Sequence, residues 1–297
     1  MIRIEDLWKS FGRHDALRGI SMHIAAGSAY ALIGANGAGK TTTIKILMNI
    51  LEPTRGRARV LGVDSRRISP RELGQIGYVS ENQELPDRLT VGEYFAYLRP
   101  FYAQWDRDLE ASLRGQLRLP PGRKIGALSH GMRMKMTLAC ALPFRPQLLI
   151  LDEPFSGLDP LVRDEFMDGV LLQAGETTIL ISTHELGEIE GVATHVAFLE
   201  DGRMIFDEPM EDLRARFRSV RITFDQPARL PQMLPDNWLR VSADGNVLEF
   251  IDSRFRDADS HQQWQSQFRG IRRIDVEPVP LRTIFTSLAR AVRDKAA

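Results

Sequence analysis

Ser28-Ala29-Tyr30-Ala31-Leu32-Ile33-Gly34-Ala35-Asn36-Gly37-Ala38-Gly39-Lys40-Thr41 is the stretch that decides the fold. Residues 28–33 are a short apolar run with glycines on either side, the pattern of a strand buried on both faces of a parallel sheet. Residues 34–41 match G-x-x-x-x-G-K-[ST], set after a strand and before a helix. Gly34, Gly37 and Gly39 let backbone N–H groups curl around a polyphosphate where a Cβ would block the required φ. The helix that begins at Lys40 adds the positive end of its dipole. Lys40 neutralises β- and γ-phosphate oxygens, and the Thr41 hydroxyl is placed for a magnesium ion. Ile44, Leu47, Met48 and Leu51 share one face of that helix, which Pro53 is expected to end.

Outward from this motif, strands are expected at residues 2–7, 19–24, 58–61 and 76–79, and residues 89–145 read as mostly helical, interrupted at Pro120, Pro121 and Gly122. A second apolar strand, residues 147–151, delivers Asp152 and Glu153 at its C-terminal end. An apolar strand ending in a carboxylate suits the magnesium-side Asp of phosphate-cleaving enzymes, with Asp152 on the metal through water and Glu153 as general base to the attacking water. A helix over 161–172, a strand over 177–182, a helix over 185–191 and a strand over 195–199 follow. Asp201-Gly202 is a hairpin turn into a strand at 203–206. The alternation of strands and helices means a parallel sheet covered by helices. Beyond Pro209 a linking helix at 211–217 leads to strands at 220–225, 238–243 and 246–251, a helix at 257–268, a strand at 271–277 and a helix at 281–292, a small α+β domain.

Composition excludes several classes. The chain has 297 residues, with 39 Lys+Arg against 39 Asp+Glu. That balance argues against a nucleic-acid binder, which carries a basic excess or stripe. One cysteine, Cys140, allows no intrachain disulfide and favours a reducing compartment. There is no apolar span of membrane length and no secretory h-region at the N-terminus. The expectation is a soluble, intracellular protein of one or two domains.

Three further segments narrow the class: Leu128-Ser129-His130-Gly131-Met132 at the start of a helix, Ser156-Gly157-Leu158-Asp159 just after Glu153, and Ser182-Thr183-His184 closing a strand. In this order and spacing, residues 1 to about 210 resemble the ATP-binding-cassette ATPases. The resemblance implies a P-loop NTPase cassette of α/β class: a mainly parallel core sheet, an antiparallel β portion and a helical subdomain at about 82–145. A small α+β accessory domain at 211–297 follows. It implies ATP and Mg2+ as ligands, with Asn36, Ala38 and Thr42 completing the phosphate contacts. Phe11 would stack on adenine; an aromatic after an edge strand is otherwise a core residue. Ser129 and the Gly131 N–H would bind the γ-phosphate held by a second subunit, with Asp159 at the same head-to-tail interface. His184 would hold the γ-phosphate and the attacking water. His14, His23, His195 and His261 have no such context.

The chain departs from the family pattern at three places. Glu81 stands where the metal-sensing glutamine is usual, with Gln83 as the alternative if the loop shifts; Glu81 would still accept from metal-bound water. His130 replaces a glycine as a spacer or partner-facing residue, and Met132 replaces a glutamine. The resemblance further implies a homodimer, or a pair with a similar subunit, working on the cytoplasmic face of the inner membrane. The aromatic-rich region from Glu81 to Tyr102 is the candidate contact with a transmembrane permease. The segments 203–209 and 280–288 look like bacterial exporter-type subunits that pair with a separate permease chain. A coiled-coil DNA-repair ATPase is excluded by the lack of heptads. A soluble assembly ATPase needs only one cassette and stays open as the alternative.

Overall fold

The computed structural model describes residues 1–171, 177–184, 187, 189–228, 230–231 and 233–296. The chain divides into two compact units, Met1–Asp207 and Glu208–Ala297. In the first, β1 (Ile2–Phe11) and β2 (His14–Ile24) form a hairpin, and β3 (Ala29–Ile33) runs into α1 (Lys40–Leu47). Then come β4 (Arg55–Val60), β5 (Val63–Asp64), α2 (Pro70–Leu73) and β6 (Ile76–Ser80). The helices α3 (Val91–Leu98), α4 (Arg107–Gln116) and α5 (His130–Ala141) follow, then β7 (Leu148–Asp152), α6 (Pro160–Leu171), β8 (Thr178–Thr183), β9 (His195–Glu200) and β10 (Arg203–Pro209).

Two sheets result. One is antiparallel, in the order β2-β1-β4-β5; the other has six strands in the order β10-β9-β3-β8-β7-β6. β9, β3, β8, β7 and β6 run parallel to one another. Every residue of β3, β7 and β8 is buried, as expected for strands covered on both faces. The inner face of the antiparallel sheet, Ile2, Ile4, Leu7, Leu17, Ile20 and Ile24, joins α1 and β3 in one core. Each fully buried Ile or Leu there contributes about 1.5–3 kcal/mol of transfer free energy.

Several boundaries differ from the sequence expectation. α1 stops at Leu47, well short of Pro53, because Asn49 takes a left-handed φ of 57° and the Ile50 N–H bonds the Lys45 carbonyl at 2.8 Å. This is the Schellman closure, for which Asn is a common residue. The helical stretch is cut by a 3-10 turn at Arg99–Phe101 and again at residues 117–124, before α5. α2 was not expected, although Ser69-Pro70-Arg71-Glu72 is a capping box with Pro at its first position. The helix expected over 185–191 includes residues 185, 186 and 188, which lie outside the described set. Asp201 and Gly202, with φ of 46° and 74°, make the turn between β9 and β10 that a type I′ hairpin requires.

The second unit contains α7 (Met210–Arg216), β11 (Arg218–Phe224), β12 (Trp238–Asp244), β13 (Val247–Asp252), α8 (Asp257–Gln267), β14 (Ile271–Pro278) and α9 (Leu281–Ala296). Its strands form an antiparallel sheet in the order β12-β13-β11-β14. Val220, Ile222, Phe224, Trp238, Leu248 and Phe250 form one buried face, closed by Trp264 of α8. Trp264 is fully buried, with ring centroids 5.7 Å from Phe250 and 6.0 Å from Phe255. Its indole Nε1 has no hydrogen-bond partner among the described residues, so truncation also removes a polar cost. Trp264→Ala is therefore expected to destabilise this unit toward the low end of the about 3–5 kcal/mol typical of Trp→Ala in a core. Urea unfolding of the full chain, followed through this unit's signal, measures it; a loss below ~1 kcal/mol would refute the packing argument.

Candidate active site

The site lies at the C-terminal ends of the parallel strands, where ligands bind in open α/β sheets. The register explains the gathering. Ile33 pairs with Thr183, Asp152 with Ser182, and Ser80 with Asp152. Gly34, His184, Glu153 and Glu81 therefore leave their strands along one edge.

The loop from β3 to α1 is shaped by what surrounds it. A Cβ on Gly34 would lie 2.3 Å from the Leu199 carbonyl oxygen, and one on Gly39 would lie 2.6 Å from Leu17. Gly39 also has a φ of 110°, at the N-cap of α1. Gly37, with φ 85°, faces open space. Ala35, Asn36 and Gly37 form the exposed tip, whereas Ala38 is buried and its carbonyl accepts from the Gly202 N–H at 3.1 Å. The β9–β10 turn thus braces the back of the loop.

Lys40 is only 4% exposed. Its Nζ donates to the Gly34 carbonyl at 2.6 Å and the Ala35 carbonyl at 3.2 Å, and pairs with Glu153 Oε1 at 2.9 Å. Glu153 Oε2 lies 2.8 Å from His184 Nδ1. One carboxylate therefore spans the loop lysine and the strand-end histidine. Glu153 Oε1 is buried and, among the described residues, has no hydrogen-bond partner beyond its ion pair with Lys40. Glu153 takes a left-handed φ of 50°, held by its N–H to the Ser182 carbonyl and Oγ, both at 3.1 Å.

Asp152 is 3% exposed. Its Oδ1 accepts from Thr41 Oγ1 at 3.1 Å and Ser182 Oγ at 2.6 Å. Burial pushes its carboxyl pKa up, partly offset by these two hydroxyls, while the neighbouring Glu153 charge adds to the rise. A buried acidic oxygen beside a hydroxyl oxygen is a donor set a hard cation satisfies, since Mg2+ takes one or two protein oxygens plus phosphate and water. Among the described residues no cluster of three His, Cys, Asp or Glu could hold a metal. Thr42 is half-buried in the first turn of α1. The Glu81 N–H bonds the Asp152 carbonyl at 3.3 Å, and Glu81 is half-buried; Gln83 is exposed.

Ser129, Gly131 and Asp159 form a second group. Ser129 caps α5, its Oγ accepting from the Met132 N–H at 3.3 Å. Asp159 Oδ1 accepts from the Val162 N–H at 3.0 Å. Gly131 packs so closely on Val162 that a Cβ would sit 3.0 Å from it. His130 is more than a spacer: its Nε2 lies 3.1 Å from the Ser156 carbonyl and ties the two segments together. Phe11 is 48% exposed at the β1–β2 hairpin, with Lys9 Nζ 5.0 Å from its ring centre. Sequence reasoning missed Ser182. The signal, a hydroxyl residue two places before the strand-end histidine, acquires meaning only through the register.

A parallel sheet, a glycine loop capping a helix, and paired carboxylates at the end of β7 define a P-loop nucleoside triphosphatase. Residues 17–156 match the family model for ABC transporter. The chain is 34% identical over 227 residues to YcbN, an uncharacterized ABC transporter ATP-binding protein of Bacillus subtilis (strain 168), covering 73% of this chain and 72% of that protein. It is 35% identical to the daunorubicin resistance ATP-binding protein DrrA2 of Streptomyces coeruleorubidus, covering 72% and 68%. A solved ATP-binding subunit of an ABC transporter superposes with a TM-score of 0.66 at 29% identity, over 72% of this chain and 92% of that one. The chain belongs to the ABC transporter ATP-binding protein family and is the ATP-hydrolysing subunit of such a transporter.

Proposed function

We propose that this subunit powers export through a separate permease chain, by closing on ATP with a second copy or a similar subunit and opening after hydrolysis. The observation that carries the chemistry is the chain of contacts from Lys40 through Glu153 to His184 beside the glycine loop. In the proposed mechanism the loop N–H groups, with Asn36, Ala38 and Thr42, cradle the ATP phosphates, and Lys40 leaves Glu153 to pair with them. Freed from Lys40, Glu153 accepts a proton from the water that attacks the γ-phosphorus. The bond to the β–γ bridging oxygen breaks, giving ADP and inorganic phosphate. His184 orients water and γ-phosphate. Thr41 and Asp152 would hold Mg2+, with Glu81 reaching it through water; the ion supplies charge neutralisation at the phosphates. Phe11 stacks on adenine. Ser129 and Gly131 complete the phosphate site across the subunit interface, beside Asp159, so closure depends on bound ATP.

Export is favoured by the likeness to a daunorubicin resistance ATP-binding protein, and the working place is the cytoplasmic face of the inner membrane. No helix among the described residues is long and apolar enough to cross a membrane. Tyr97 and Phe101 are the surface for the permease chain: they are 57% and 66% exposed, and their rings meet edge to face at 5.2 Å. Beneath them Phe95 is fully buried, and Glu110 accepts from Arg99 at 2.9 and 2.8 Å and from Trp105 at 2.8 Å, fixing the end of α3. Exposed aromatics on a rigid base are typical interface anchors.

Affinity purification from native membranes in mild detergent tests this reading. A stoichiometric polytopic partner is expected, and Tyr97→Ser/Phe101→Ser should lower its recovery at least ~10-fold, the effect of losing about 1.4 kcal/mol of binding. Only soluble partners would replace the transporter reading with the assembly-ATPase one.

A further inference from the structure

Ser182 is fully buried near the end of β8, in contact with both Asp152 and Glu153. The parallel register puts it directly beside Asp152, and its side chain makes two contacts of opposite sense. Oγ–H donates to Asp152 Oδ1 at 2.6 Å, the same oxygen that Thr41 Oγ1 bonds at 3.1 Å. The Oγ lone pair accepts from the Glu153 N–H at 3.1 Å, and the Ser182 carbonyl shares that donor. Glu153 needs such a restraint, because a φ of 50° is costly for a residue with a Cβ and persists only when its surroundings impose it. The left-handed turn is what lets its carboxylate reach both Lys40, at 2.9 Å, and His184, at 2.8 Å.

We propose that Ser182 is a positioning residue that sets both carboxylates at once. It fixes the Asp152 oxygen toward Thr41 and clamps the backbone of Glu153 so that its side chain points at Lys40 and His184. This rests on the roles given above to Asp152 and Glu153. A donor and acceptor are both needed, so a hydroxyl fits where an aliphatic side chain does not. The Ser182 carbonyl keeps half of the Glu153 contact in any variant, so losing the hydroxyl loosens the site without unfolding it.

The test uses the full chain and four variants, Ser182→Ala, Ser182→Thr, Asp152→Asn and Glu153→Gln. Ser182→Ala is expected to keep KM for ATP within about threefold while kcat falls ~10–100-fold, the loss expected from a misplaced catalytic group. The Mg2+ concentration for half-maximal activity should rise severalfold. The tightening of a fluorescent ATP analogue on adding Mg2+ should shrink, with its metal-free affinity unchanged. Ser182→Thr should restore kcat to within about threefold. A role in stability alone predicts instead a lowered Tm with kcat scaling to the folded fraction and no change in Mg2+ dependence; that result would overturn the proposal. If Ser182→Ala does not fold, Ser182→Cys, which fills the space with a weak donor, should show the same Mg2+ and kcat shifts, and wild-type behaviour there overturns the proposal too. Asp152→Asn and Glu153→Gln separate the two levels. Full turnover in both overturns the site assignment itself, whereas inactive carboxylate variants beside a fully active Ser182→Ala overturn the positioning role alone.

Discussion

Glu153→Gln is expected to bind ATP and to hydrolyse it at least ~10²-fold more slowly, the scale of a lost general base. The substitution keeps size and shape, so the N–H contacts to Ser182 persist and the left-handed backbone remains. What disappears is the charge that pairs with Lys40 at 2.9 Å and the basic lone pair beside His184. Losing the charge frees Lys40 for phosphate, so affinity for ATP should hold or rise while the chemical step slows. The variant should therefore accumulate with ATP bound, visible as retained nucleotide after gel filtration. Single-turnover hydrolysis with radiolabelled ATP gives the rate. Turnover at the wild-type level would remove Glu153 from the mechanism and leave His184 to be tested as the base.

The contacts behind this expectation were legible in the sequence to different depths. The apolar runs that became β3, β7 and β8 stand out because strands buried on both faces leave no polar alternation. The glycine loop and Lys40 are equally plain, since few residues besides glycine fit against Leu199 and Leu17. Strand order is another matter. That β8 lies between β3 and β7 is a long-range fact, and it alone brings Ser182 beside Asp152 and Thr183 beside Gly34. The left-handed turn at Glu153 has no local signature, because it is imposed by Ser182 across the sheet. The contact from His130 to Ser156 is similarly tertiary. The aromatics of 94–105 divide only once packing is known. Tyr102 stacks on Phe144 at 4.0 Å and Phe95 is enclosed, whereas Tyr97 and Phe101 stay outside. Each miss sits where partners far apart in the chain decide the outcome. Two misses are exceptions with local signals: the Ser69–Glu72 capping box of α2, and Asn49, a helix stop that the more familiar Pro53 obscured.

Lys40→Ala should abolish ATP binding and, less obviously, destabilise the free protein. A unit charge about 4 Å from a phosphate oxygen at an effective dielectric near 20 is worth about 4 kcal/mol, or ~10³ in affinity. In the free protein Lys40 is the cation facing the Glu153 carboxylate, with Asp152 buried close by. Its removal takes the cation from beside Glu153 and the side-chain donor from the Gly34 carbonyl, while the Ala35 carbonyl keeps the Ala38 N–H at 3.1 Å. Breaking a fully buried pair costs about 3–5 kcal/mol, but Glu153 is 16% exposed and retains His184, so about half that is expected. Adding Glu153→Gln to Lys40→Ala should then recover part of the stability, because it removes an unpaired charge, not a partner. Thermal unfolding of the wild type, the single variant and the double variant measures both effects. MgATP should raise the Tm of the wild type by mass action on the folded state and leave that of Lys40→Ala unmoved. A Lys40→Ala variant whose Tm still climbs with MgATP over the same concentrations would show that the loop N–H groups hold the phosphates without the lysine, and its buried ion pair with Glu153 would then be structural only.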